Sequence, residues 1–130
     1  MPALPLTLLA TPLAMCQYPA GAPVPAWTEG AREFLTISRT PTELSVVADD
    51  SAVPASVSAQ RGYRALRVQG PLPLDLIGIF AALAGPLADA GIAIFPIATF
   101  ETDYVLVQGA DLDRALAALR GAGHMIAGIP

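Results

Sequence analysis

Few side chains in this chain have the chemistry to make or break bonds. The sole histidine is His124 and the sole cysteine is Cys16. Neither stands in a motif with a serine, carboxylate or second thiol that would form a nucleophile–base pair. One thiol and one imidazole give no metal-ligating set, and no phosphate-cradling glycine loop occurs. No catalytic residue, metal or cofactor is therefore expected. His124 reads as a surface or edge residue, and Cys16 as a small apolar residue in a strand.

Binding chemistry has two candidate places. The loop from Pro73 leads into a helix start at Asp75, Leu76, Ile77, Gly78 and Ile79. Unpaired backbone N–H groups and the dipole at such a start favour a carboxylate. Gly78 would let a ligand or another backbone approach closely. The second place is the turn Thr99, Phe100, Thr102 and Asp103. The Asp103 carboxylate can receive an ammonium or guanidinium through a charge-assisted bond. Side by side, the two places would match the two ends of a zwitterion. Both also have a plainer reading: Asp75 caps its own helix while Gly78 eases helix–sheet packing, and the turn holds residue types usual in turns.

These residues need elements to hold them. Asp75 as N-cap and Gly91 as stop predict a helix with Ile77, Phe80, Ala81, Ala84, Leu87 and Ala88 on its inner stripe. Pro86 inside it predicts a kink or a fresh helical turn. Strands are expected over Ile92–Thr99 and Tyr104–Gln108, then a helix capped by Asp111 with Leu112, Ala115, Leu116 and Leu119 inward. A short strand or tail, His124–Ile129, closes the chain. Tyr63–Gln69 alternates as a half-buried strand should, with Arg61, Arg64 and Arg67 on its solvated side. Residues 61–130 thus read β-α-β-β-α-β, the order of a ferredoxin-like sandwich.

Residues 1–60 read differently. Leu6–Tyr18 is one extended segment with Pro12 suited to an edge or bulge. PAGAPVPAWTEGA is too rich in proline for a full helix, and Trp27 anchors it as a loop. FLTISR and ELSVVA form a hairpin around Thr40-Pro41-Thr42. Shifted by 60 residues, ISRTPTELSVV overlays IATFETDYVLV with identities at Ile37/Ile97, Thr42/Thr102 and Val47/Val107. Two copies of one unit are expected, at 1–60 and 61–130, the first without its crossing helix.

The composition narrows the class. The chain has 130 residues, is 54% apolar and only 14% charged, and carries a net charge of -4. All seven positive charges are arginines. That is not the footprint of a nucleic-acid binder. No stretch suits a membrane span, and the first positive side chain is Arg32, too late for a secretory signal. A cytoplasmic location is expected. So little charge on a small chain also predicts that apolar surface is covered by another copy, as a dimer or larger.

With these residues in view, VQGPLPLDLIGIFAALAGPLADAGIAIFPIATFETDYVLVQGADLDRALAALRGAGH resembles the ACT domains of amino-acid-binding regulators. The pattern is most similar to the aspartokinase-like group that includes the CASTOR-type arginine sensors. IATFETDYVLV resembles that group's second hairpin, and FLTISRTPTELSVVADDSAVP its first. The resemblance implies tandem ACT units that pair side by side. It also implies non-catalytic binding of an amino acid between ACT units, at Asp75–Ile79 and the Thr99–Asp103 turn. The arginine sensors have an acidic residue after the loop aspartate; Leu76 stands there here, which implies altered selectivity. The other reading of the same family is a structural module that uses ACT pairing for oligomerisation alone.

Overall fold

A computed structural model of the chain describes residues 3–128. The elements in order are β1 (Pro5–Leu8), β2 (Leu13–Pro19), β3 (Leu35–Arg39), β4 (Glu43–Asp49), β5 (Gln60–Val68), α1 (Ile79–Asp89), β6 (Phe95–Ala98), β7 (Asp103–Gln108), α2 (Leu112–Gly121) and β8 (Met125–Ala127). The mixed α+β, ferredoxin-like class expected from the sequence is the one found. The described chain divides into two compact units, one of Thr11–Tyr63, the other of residues 3–10 together with residues 64–128.

In the unit Thr11–Tyr63, β4 is central. It pairs antiparallel with β2 (Cys16↔Val46, Tyr18↔Leu44) and with β3 (Ile37↔Val46, Arg39↔Leu44). Alternation along β4 sends Leu44, Val46 and Ala48 into a cluster with Cys16. No α-helix lies between Tyr18 and Phe34; a five-residue 3-10 turn, Ala26–Gly30, takes its place. Trp27 packs on the cluster and donates its indole N–H to the Tyr18 hydroxyl at 3.1 Å. Burial pushes the Cys16 thiol pKa up, against the opposing influence of Tyr18 and Arg61.

The other unit has the strand order β6–β7–β5–β1–β8. β1 runs antiparallel to β5 (Leu6↔Val68) and parallel to β8 (Leu6↔Ile126). These pairings group β1 with the C-terminal elements. Helices and strands share one core, in which Leu83, Leu87 and Leu119 meet Leu6, Leu66, Val68, Val105 and Val107. Each fully buried leucine contributes about 1.5–3 kcal/mol by leaving water. Among the described residues, no helix is long and apolar enough to cross a membrane.

Several expectations need correction. The segment Leu6–Tyr18 is two strands, broken where Pro12 has no N–H for a ladder. α1 begins at Ile79, not Asp75, and buries Ile79, Ala82, Leu83 and Leu87. Only Leu87 of the expected inner stripe is buried; Ile77 precedes the helix and is 94% exposed. The helix is apolar all round until Asp89, so periodicity alone could not set its phase. It also runs unbroken through Pro86. Asp111 stands at the N-cap of α2 without a side-chain cap bond, and pairs with Arg114 at 3.2 Å instead. The closing strand is Met125–Ala127; Ile129 lies outside the described residues.

His124 is 4% exposed, not at the surface. Its Nδ1 accepts the Leu4 N–H at 3.0 Å, and its Nε2 lies 2.8 Å from the Ala82 carbonyl. Nor do the three arginines form one solvated row. Arg61 binds Asp50 at 2.9 Å and the Val53 and Pro54 carbonyls. Arg64 donates to the Leu9 carbonyl, and Arg67 pairs with Glu101 at 3.0 Å.

Candidate functional site

A cavity of about 170 Å³ opens where the loop before α1 faces the β6–β7 turn. The turn is built by threonines. Thr99 donates both its N–H (2.9 Å) and its hydroxyl (3.0 Å) to the Thr102 carbonyl, and its Oγ1 accepts the Thr102 N–H. Thr102 is buried, and its hydroxyl donates to the Val68 carbonyl at 2.6 Å. The turn is thereby fastened to the end of β5. The next residue, Asp103, begins β7 opposite Ala98, half-buried at the cavity wall.

The loop side is fastened to the same turn. Leu72 donates its N–H to the Glu101 carbonyl at 2.8 Å. A Cβ at Gly70 would stand 3.2 Å from that carbonyl oxygen and 3.2 Å from the Thr102 Cβ, so a glycine lets the two segments meet. The loop ends in a turn closed from the Leu76 N–H to the Pro73 carbonyl, and then in Gly78 at the N-cap of α1. A Cβ at Gly78 would meet no protein atom within 4 Å, so no other backbone approaches it closely. Its φ of +83° is what selects glycine there. No side chain caps α1, which leaves its leading N–H groups for a ligand or water.

Of the nine residues singled out from sequence, the cavity brings together Leu76, Ile79, Thr99, Phe100, Thr102 and Asp103. Asp75, Ile77 and Gly78 do not line it, and Asp75 caps no helix because α1 starts four residues later. Leu72, Pro73, Leu74 and Glu101 line it as well. The signal for Glu101 lay in Gly70, whose missing side chain admits it, and in Arg67, its partner across the sheet. Burial opposes the charge on the Arg67 guanidinium, but hydrogen bonds to Tyr104 and Glu101 more than offset this and hold its pKa above the usual arginine value. Among the described residues, no ion pair includes Asp103. The arrangement thus offers one paired and one unpaired carboxylate, threonine hydroxyls, apolar walls and an uncapped helix start. It holds no nucleophile–base pair.

Comparison with known proteins fits this picture. A family model described as the ACT domain matches residues 58–121, and a second, described as an N-terminal domain, matches residues 12–56. The crystal structure of protein Atu0741 from Agobacterium tumefaciens matches with a TM-score of 0.91 and 32% identity, over 100% of this chain and 96% of that one. VC0802 from Vibrio cholerae, a protein of unknown function, gives a TM-score of 0.74 at 22% identity, over 92% of this chain and 90% of that one. The regulatory subunit of aspartate kinase from Thermus thermophilus shares the fold, with a TM-score of 0.60 at 14% identity, over 87% of this chain and 93% of that one.

Proposed function

We propose, from the premise that this chain belongs to the family of Atu0741 and carries an ACT domain, that it is a non-catalytic regulator that binds a free amino acid. The observation that carries this reading is the cavity at the junction of the α1 start and the β6–β7 turn. The uncapped helix start suits the ligand's carboxylate, and Asp103 suits its ammonium group. The likeness to regulatory parts of aspartate kinases supports regulation without chemistry of its own. The likeness of Ile97–Val107 to the arginine-sensor pattern supports a sensor role, and Leu76 argues for a selectivity other than theirs. The working setting would be cytoplasmic, with neither nucleic acid nor membrane as partner.

A thermal-shift screen of the twenty amino acids tests the reading. A ligand at 100 times its Kd that binds only the folded chain adds about 2.7 kcal/mol of stability. The Asp103→Ala variant should lose about 1.5–3 kcal/mol of binding energy by calorimetry. Equal affinities would remove Asp103 from the site, and no shift with any amino acid would defeat the reading.

One observation favours a second reading, in which ACT pairing serves oligomerisation. Leu74, Leu76, Ile77 and Phe100 are 71%, 48%, 94% and 84% exposed. Apolar side chains left so open on a small domain call for a cover, and a second copy would supply it as a homodimer or larger. Light scattering at micromolar concentration, with and without the best ligand, separates the two. An assembly indifferent to every amino acid favours the structural module.

A further inference from the structure

We propose that Arg67 sets the charge class of the ligand: by holding Glu101 it leaves Asp103 as the one uncompensated acid of the cavity, so the site takes an amino acid with an uncharged side chain. This rests on the amino-acid reading above. Two acids line the cavity, Glu101 and Asp103, and no arginine or histidine does. The Arg67 guanidinium meets the Glu101 Oε2 at 3.0 Å.

The backbone around Glu101 has little freedom to take the carboxylate elsewhere. Its carbonyl accepts the Leu72 N–H at 2.8 Å, and its neighbour Thr102 is bonded to Val68, the residue after Arg67. Arg67 is also hydrogen-bonded to Tyr104, the residue after Asp103. The cation therefore stands behind the wall, tied to the residues on both sides of the Thr102–Asp103 segment. It is a positioning residue and lines nothing itself.

Charge arithmetic then decides what fits. An amino acid with an uncharged side chain brings one ammonium group, which Asp103 satisfies, and one carboxylate, which the α1 start receives. A cationic side chain brings a second positive charge, and the only other acid is already paired. An anionic side chain brings a second negative charge, and no cation lines the cavity to receive it. The pair is partly exposed, with side-chain accessibilities of 24% for Arg67 and 56% for Glu101, so its value lies in local charge and not in stability.

The test uses ligand pairs similar in shape and different in charge: norleucine and lysine, citrulline and arginine. Calorimetry on the full chain should find the uncharged member of a pair, or an uncharged amino acid generally, binding more tightly. Arg67→Met should move the affinity ratio toward the cationic member by about tenfold, the scale of one nearby uncompensated charge. Adding Glu101→Gln to that variant should restore the original ratio, and Arg67→Lys should keep it. A purely structural role for Arg67 would weaken both members equally and leave the ratio unmoved, which would overturn the proposal. So would tighter binding of lysine or arginine by the natural chain. If no amino acid of any charge binds, the amino-acid reading itself has failed, a distinct result.

Discussion

Pro86 and His124 meet at one carbonyl oxygen, that of Ala82. In an uninterrupted helix, Ala82 would accept the N–H of the residue four positions on, which is Pro86 and has none. His124 fills the vacancy, its Nε2 2.8 Å from that oxygen. Its Nδ1 accepts the Leu4 N–H, so the ring must be neutral and carry its proton on Nε2. One buried imidazole thereby joins the residue before β1 to α1, and supplies what the proline took away.

His124→Ala should therefore destabilise the fold by about 2–4 kcal/mol, since it orphans a buried N–H and a buried carbonyl together. In a Pro86→Ala background the helix can satisfy Ala82 itself. The loss should then shrink by about 1 kcal/mol, read as the coupling term of a double-mutant cycle in urea. Nitrogen chemical shifts of the ring should report protonated Nε2. Independent effects of the two substitutions would break the link between the residues.

Asp49 makes stability fall in acid. It is buried at the end of β4 and accepts the backbone N–H groups of Arg32, Glu33 and Phe34 at 2.8–3.1 Å. Burial raises its pKa, but the backbone donors outweigh that and hold it below the ordinary value of 3.8. A carboxyl with a depressed folded pKa stabilises above its unfolded pKa, and this contribution is lost as pH falls through the folded one. Stability should thus decline below about pH 4. Asp49→Asn, with one acceptor fewer, should cost about 1–3 kcal/mol at pH 7 and flatten that decline, as measured by denaturation from pH 2 to 7.

Gly78→Ala should cost about 1–2 kcal/mol from backbone conformation alone. The position has open space around it, so no steric clash adds to the figure. Because Gly78 sets the entry into α1 beside the cavity, ligand affinity should fall along with the melting temperature. A variant that melts normally would show that the backbone there adjusts without strain.

Thr102→Val keeps the shape of a buried side chain and removes its donation to the Val68 carbonyl at 2.6 Å. The expected loss is about 1–3 kcal/mol. Amide exchange should quicken at Thr102 and Leu72, whose bonds hold the turn and loop together, and stay slow in α2. Uniform quickening would mean global destabilisation without local loosening.

What the sequence disclosed depended on how firmly each pattern fixed a phase. The two hairpins were visible, and both exist, but they correspond at an offset of 59 and not 60. Thr40 donates its N–H to the Glu43 carbonyl as Thr99 does to that of Thr102, and Arg39↔Leu44 matches Ala98↔Asp103. In a strand, a slip of one residue exchanges the faces. At the observed offset Val46 and Ala48 match Val105 and Val107, and all four belong to their cores. At offset 60, by contrast, the exposed Thr42 would be set against the buried Thr102. The strands around Asp103 were legible because β-rich runs flank a turn. The phase of α1 was not, because Ile79–Ala88 contains no charged or polar side chain to mark an outer face. His124 was misread because its partners are backbone groups, Leu4 N–H and Ala82 C=O, which no side-chain motif announces.

The place of β1 between β5 and β8 has a consequence for synthesis. Leu6 pairs with Val68, and also with Ile126, 120 residues later. On the ribosome, the β1 edge that faces β5 can be matched once Val68 has emerged, but the edge that faces β8 must wait until nearly the whole described chain is out. The stretch Thr11–Tyr63 holds its own strands and core, and can form in the meantime. Closure of the remaining sheet is the last event, and a nascent chain stalled before β8 leaves one edge of β1 open to strands from other molecules.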